Sequence, residues 1–213
     1  MDETPSGATQ PSSGEPIGAV GSPRGSVRAF VGVGSNINPA ENVFDALGLL
    51  EQTPGITVVG ISTFYRTPAL PAPGAKTSPG GEDPDYLNGV LELDTDLDST
   101  AFSKALVAVE TALGRVRGDK KFASRTMDLD LLLFLPSKAD DPGKGALLPV
   151  DPPPHPEVRS RAFVAIPLLE LAPDLLLPPD GTPLSAVAAS FPGPGGEVDG
   201  PLTDRLRRRF LSS

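Results

Sequence analysis

Residues 124–134 read S-R-T-M-D-L-D-L-L-L-F, and the two aspartates inside that apolar run constrain the fold more than any other feature of the chain. In an extended strand, residues two apart share a face. Asp128 and Asp130 therefore project to one side together with Thr126, while Met127, Leu129 and Leu131 project to the other. An ionised carboxylate removed from water without a partner is costly or changes its protonation. The run is thus predicted to be a strand with one apolar face packed on helices and one open face whose two carboxylates meet a cation.

The chain before this run supplies the rest of a sheet. Residues 28–36 predict a first strand that ends in a turn at Gly34-Ser35-Asn36. Residues 38–52 predict a helix, with Asn38 as cap, Pro39 at the first helical position, and Val43, Leu47 and Leu50 on one stripe. Residues 55–67 are β-branched and aromatic and predict a second strand; 71–85 form a long Pro- and Gly-rich loop; 86–97 predict a third strand. Asp98 or Ser99 can cap a second helix over 98–116, whose stripe is Phe102, Leu106, Val109, Leu113 and Val116. A basic loop, 117–124, leads into the fourth strand. The order β-α-β-β-α-β predicts an α+β, ferredoxin-like core, in which two helices cover one sheet face and leave the other for a ligand. Beyond residue 135 the sequence predicts a helical stretch at 156–172, Pro-rich connections and a basic terminal helix, 203–210, with Arg205, Arg207, Arg208 and Arg209 on a solvated face. No internal repeat and no second core are read. Residues 1–27, mostly Gly, Pro and Ser, are expected to be a disordered tail, 28–182 one domain, and 183–213 a C-terminal extension.

Composition narrows the function classes. There is no cysteine, which excludes disulfides and thiolate metal sites, and a single histidine, His155, which excludes a multi-histidine zinc site. A net charge of −9 argues against general nucleic-acid binding, though not against a small anion held by a few arginines. No segment approaches the roughly 20 apolar residues of a membrane span, and Asp2 and Glu3 do not suit a secretory signal. The expectation is a cytoplasmic, monomeric enzyme or binding protein with no nucleic-acid or membrane partner.

Two carboxylates on one strand face can hold divalent ions, and Mg²⁺ is commonly bound by one or two carboxylates plus substrate phosphates. The plainer reading is a pair of solvent-facing aspartates. Arg115, Arg117, Lys120, Lys121 and Arg125 stand close by in sequence, and acids flanked by cations match a metal–polyphosphate complex.

At this point the residues resemble a family. Arg125-Thr-Met-Asp128-Leu-Asp130 resembles the R-T-x-D-x-D signature of the 6-hydroxymethyl-7,8-dihydropterin pyrophosphokinases. Gly34-Ser35-Asn36 is similar to the family's G-S-N, Phe64-Tyr65-Arg66-Thr67-Pro68 to its S-x-x-Y-x-T-x-P segment, and Asp85-Tyr86-Leu87-Asn88 to its D-Y-x-N. Glu110 with Leu113-Gly114-Arg115-Val116-Arg117 resembles its E-x-x-x-G-R-x-R. Pro154-His155, Arg161-Ala162-Phe163-Val164, Pro167-Leu168, Glu170 and Ala172-Pro173 resemble its C-terminal part, so the resemblance spans about residues 28–182.

The resemblance implies transfer of pyrophosphate from ATP to the hydroxymethyl group of the reduced pterin, leaving AMP, in folate synthesis. It implies two Mg²⁺ ions on Asp128 and Asp130, with Arg115 and Arg125 also catalytic. It places Glu110, Arg117, His155 and Arg161 at the ATP. It implies a pterin slot of Tyr86, Asn88, Phe122 and Phe163, with Thr67, Pro68 and Leu70. The chain departs from the pattern at Phe122-Ala123-Ser124, where many members carry tryptophan before the loop arginine, and in a longer 71–85 loop. Two other readings share the elements: a non-catalytic nucleotide-binding regulatory module, and a palm-type nucleotidyltransferase, which would release pyrophosphate and not AMP.

Overall fold

The computed structural model describes residues 27–69, 84–115, 126–136 and 152–211. The long loop, the basic loop with Arg117, Phe122 and Arg125, the tail up to residue 26, and Leu70 lie outside the described residues. The core elements follow the expected order: β1 (Val27–Ser35), α1 (Pro39–Glu51), β2 (Ile56–Ile61), β3 (Tyr65–Thr67), β4 (Tyr86–Thr95), α2 (Ser99–Ala112) and β5 (Asp128–Pro136). Then come α3 (Glu157–Ser160), α4 (Ala162–Leu171), the short pair β6 (Leu176–Leu177) and β7 (Thr182–Pro183), α5 (Leu184–Ala189), β8 (Glu197–Val198) and α6 (Gly200–Phe210). In the sheet β5 neighbours β1 and β1 neighbours β4; β2 and β3 both pair β4, and β8 pairs β3 outside it. All these pairings are antiparallel. No helix among the described residues is long and apolar enough to cross a membrane.

The single strand expected over 55–67 is two strands. At the break, Ser62 Oγ accepts from Val90 N at 2.8 Å, in place of a backbone carbonyl, and Ser62 N donates to Val90 O at 3.0 Å. The ring of Phe64 then lies flat on Gly89, where a Cβ would come within 2.9 Å of it. Asn38 stands at the cap of α1 in a left-handed conformation, φ 41°, and its side chain makes no cap hydrogen bond. Asn42 Nδ2 holds Ile37 O at 2.6 Å there instead. Asp98 caps α2 as expected, accepting from Ala101 N at 2.8 Å.

The sheet has a core on each face, which corrects the expectation of a single core and a free second face. On one side Ala29, Val31, Val33 and Leu129 pack against Val43, Leu47 and Leu50 of α1 and Phe102 and Leu106 of α2, with Leu202, Leu206 and Phe210 of α6. On the other, Phe30, Val90, Leu132, Leu133 and Leu135 pack against Val158, Val164, Leu168 and Leu184 of α3, α4 and α5. A bulge enlarges the second core. Register between β1 and β5 slips between Phe30 and Val31, so Leu132 is extra and both it and Leu133 join the second cluster. The second face is therefore covered over its leucine half and only partly buried where Asp128 and Asp130 stand. The terminal arginines are less free than expected. Arg207 Nε donates to Ile61 O at 2.9 Å, Arg205 lies over the Phe44 ring at 4.5 Å, and Arg209 pairs with Glu51 at 3.3 Å.

Candidate active site

One row of the sheet sets the site's frame. Asp128 of β5 pairs with Gly34 of β1, Gly34 with Asn88 of β4, and Asn88 with Tyr65 of β3. In the next rows Asp130 pairs with Gly32, and Thr67 pairs with Tyr86. Directly opposed residues share a face, so both aspartates, Asn88, Thr67 and Tyr86 all project from one side. Gly32 and Gly34 give that side a floor without side chains. A Cβ at Gly34 would lie 3.2 Å from Asn88 Oδ1 and 3.8 Å from Asp128 Cβ, and one at Gly32 would lie 3.3 Å from Leu132. The floor thus separates a carboxylate wall from a neutral polar wall. On that neutral wall Asn88 Nδ2 donates to Thr67 Oγ1 at 2.7 Å, both residues being buried, which turns Asn88 Oδ1 towards Gly34.

Local sequence explains how Arg115 reaches the carboxylates. α2 stops at Ala112, earlier than expected, because Gly114 adopts φ +79°. Gly114 N donates to Thr111 O at 3.0 Å and Arg115 N to Glu110 O at 3.0 Å, the paired bonds of a Schellman turn. The reversal sends the Arg115 guanidinium to the Glu110 carboxylate and, at 2.5 Å, to Asp128 Oδ1. Glu110, 2% exposed, also accepts from Leu129 N at 2.8 Å. Its carboxylate thus braces both Arg115 and the strand that carries the aspartates. Nothing crowds a Cβ at Gly114, so Gly114→Ala is expected to cost only the left-handed backbone, about 1–2 kcal/mol. A thermal unfolding midpoint lowered by a few degrees checks it.

His155 is fastened to the outer edge of β5, its N–H donating to the bulge carbonyl of Leu132 at 2.9 Å. Its Nδ1 accepts from Glu157 N at 3.4 Å. Arg161 opens α4 and pairs within its own turn with Glu157 at 3.8 Å rather than with the strand carboxylates. Phe163 is half-buried against the second core, and Pro68 is exposed next to Thr67. The structure therefore brings Arg115, Glu110 and Asp128 into contact and joins Thr67 to Asn88, while Tyr86 and Asp130 share their face. Among the described residues no group of three or more His, Asp or Glu side chains gathers. The sequence does not announce the Gly32–Gly34 floor: Gly34 reads as a turn signal and Gly32 as an ordinary strand position. The buried position of Glu110 was also missed, although it falls four residues after Leu106 on an apolar stripe. A further polar group, the Tyr65 hydroxyl, donates to Glu170 Oε1 at 2.9 Å. Burial first and Glu170 second push that phenol up to about 12, so it remains a donor at neutral pH.

The chain is similar to known proteins. The family model described as 7,8-dihydro-6-hydroxymethylpterin-pyrophosphokinase (HPPK) matches residues 30–173. A 2-amino-4-hydroxy-6-hydroxymethyldihydropteridine pyrophosphokinase of Pseudomonas aeruginosa is 39% identical over 172 residues, 80% of this chain and 95% of that protein. A protein of the same description from Methylorubrum extorquens is 38% identical over 152 residues, 70% of this chain and 85% of its own length. One from Synechocystis is 36% identical over 154 residues, 72% of this chain and 70% of its own length.

Proposed function

This chain belongs to the 7,8-dihydro-6-hydroxymethylpterin-pyrophosphokinase family, and from that premise we propose which of its residues do the work. The enzyme is a diphosphotransferase. It moves a pyrophosphoryl group from ATP to the hydroxymethyl group of 6-hydroxymethyl-7,8-dihydropterin, leaving AMP, a step of folate biosynthesis. The observation that carries the residue assignment is the row Asp128–Gly34–Asn88, with a carboxylate wall on one side of a glycine floor and a neutral wall on the other. A flat uncharged heterocycle suits the neutral wall and a metal–triphosphate the charged one.

On the neutral side, Asn88 Oδ1, fixed by Thr67, presents an acceptor to the donor edge of the pterin. Tyr86, Phe163 and Phe122 are assigned as the flat partners of the pterin, together with Pro68 and the backbone around Thr67 and Leu70. Gly34→Val is expected to fill the floor between Asn88 and Asp128 and to raise the KM for the pterin about tenfold or more, since isosteric fit is lost there. Steady-state kinetics at saturating ATP check this.

On the charged side, Asp128 and Asp130 present hard oxygens from one partly buried strand face, a donor set that fits Mg²⁺ held jointly with phosphate oxygens. We assign two ions to the pair. When bound, magnesium neutralises phosphate charge and orients the reacting oxygens. Arg115 already stands on Asp128 and is held there by Glu110, so its guanidinium is poised beside incoming phosphates. Arg117, Arg125, His155 and Arg161 are assigned to the same phosphates. Glu110 acts through Arg115 and β5, a refinement of the nucleotide-contact role implied by resemblance. The cysteine-free, acidic composition supports a cytoplasmic enzyme without nucleic-acid partners, and we assign it as a monomer. Incubating the full chain with ATP, Mg²⁺ and hydroxymethyldihydropterin is expected to give AMP and pterin pyrophosphate in equal amounts. ADP as the product would overturn the reading.

A further inference from the structure

Residues 197–210 lie beyond the stretch matched by the family model, 30–173. They nevertheless complete the hydrogen bonding of the break in the edge of the sheet. Ile61 O accepts from Arg207 Nε at 2.9 Å, Phe64 N donates to Thr203 Oγ1 at 3.0 Å, and Phe64 O accepts from Asp199 N at 2.8 Å. Thr63 N donates to Glu170 Oε2 at 2.7 Å, and Arg207 stands 3.7 Å from the same oxygen. Beyond the break, β8 pairs with β3 at Tyr65–Val198 and Arg66–Glu197. The Asp199 carboxylate meets Arg66 at 2.6 Å and caps α6 through Leu202 N at 3.1 Å. Gly196 passes so close that a Cβ there would collide with the Arg66 carbonyl.

β3 is only three residues long and ends at Thr67, the residue that fixes the Asn88 amide. A strand this short is held weakly by its own ladder, and a buried N–H or C=O left without a partner is costly. From this geometry we infer that Thr203, Asp199 and Arg207 are positioning residues for the pterin half of the site, acting through the 61–64 break, β3 and Thr67. The inference rests on the assignment of Thr67 and Asn88 to the pterin. The carboxylate strand β5 lies on the far side of β1 and β4 and shares none of these contacts. The brace therefore sets pterin affinity and leaves ATP affinity alone.

The experiment measures KM for each substrate in the full chain. Thr203→Val removes the acceptor of Phe64 N with little change of volume. It is expected to raise the pterin KM about tenfold, the cost of one unsatisfied buried donor, and to leave the ATP KM within about twofold. Thr203→Ser, which keeps the hydroxyl, is expected to restore the wild-type value. Asp199→Asn retains an α6 cap and loses only the charge on Arg66, so it carries the same split in smaller size should Thr203→Val not fold. Equal rises in both KM values, or no rise in either, overturn the inference. Thr67→Val is the parallel control. If it too leaves the pterin KM unchanged, the assignment of the pterin wall has failed; if it raises that KM while Thr203→Val does not, only the brace has failed.

Discussion

Asp130→Ala is expected to lower turnover about a thousandfold or more and to leave the thermal midpoint within a few degrees of the parent. The carboxylate stands partly buried on a sheet face, opposite a glycine, where it packs against no core residue of β1. Its loss opens no apolar cavity. On the metal assignment proposed above, it does remove one of two hard ligands where metal charge is worth several kcal/mol at the transition state, and each 1.36 kcal/mol is about tenfold in rate. Asp128→Ala is expected to be as severe and also frees Arg115 from one of its two carboxylate partners. AMP release, followed beside a circular-dichroism melt, checks both. Near-normal turnover in either variant removes the metal assignment.

Stability has its own sensitive point. Arg28 Nε meets Glu92 Oε1 at 3.0 Å with side chains only 8% and 5% exposed, on the face of the second core. The guanidinium lies 5.2 Å over the Phe30 ring. Glu92 is walled by Gly60, where a Cβ would come within 2.9 Å of it, and Leu171 closes on the same spot. Glu92→Ala leaves a buried guanidinium without that carboxylate and is expected to destabilise by about 3–5 kcal/mol, a fall of about 10 °C in a chain of this size. The double change Arg28→Met with Glu92→Leu is expected to recover most of the loss, since a packed apolar pair often matches a buried ion pair. Urea denaturation of the parent and the two variants decides it; a loss under about 1 kcal/mol for Glu92→Ala would show that the pair contributes little.

The order of strands and helices through the start of β5 was legible because most elements keep one period over the residues that identify them. Asp128 and Asp130 announce their face through that period, and Asn88 and Arg115 through short motifs. Four leucines and a phenylalanine follow Asp130, and such a run fits either face, so neither the bulge at Leu132 nor the second core could be read from it. The break after Ile61 was hidden for a similar reason: Ser62, Thr63 and Phe64 are acceptable strand residues, and only a serine hydroxyl standing in for a carbonyl interrupts the ladder. The partners of that break lie more than a hundred residues away in sequence, in a segment whose arginines read locally as a solvated face. Where Arg115 points depended on the reversal at Gly114, a backbone property that the letters Leu-Gly-Arg permit without requiring.

The extra residue in β5 has one more implication. Were Leu132 deleted, Leu133 would follow Leu131 directly, and every remaining residue of the strand would keep the face it has now. Regular alternation would then run unbroken from Asp128 to Leu135. Deletion would still take from the second core a leucine that is only 1% exposed. The carbonyl lost with it is the one that moors His155. Leu132 is thus a spacer of about 3.3 Å, and it tunes where the only imidazole of the chain is anchored along the edge. A one-residue length change at this position, unlike one elsewhere in the strand, would shift the anchor of His155 without inverting the sheet.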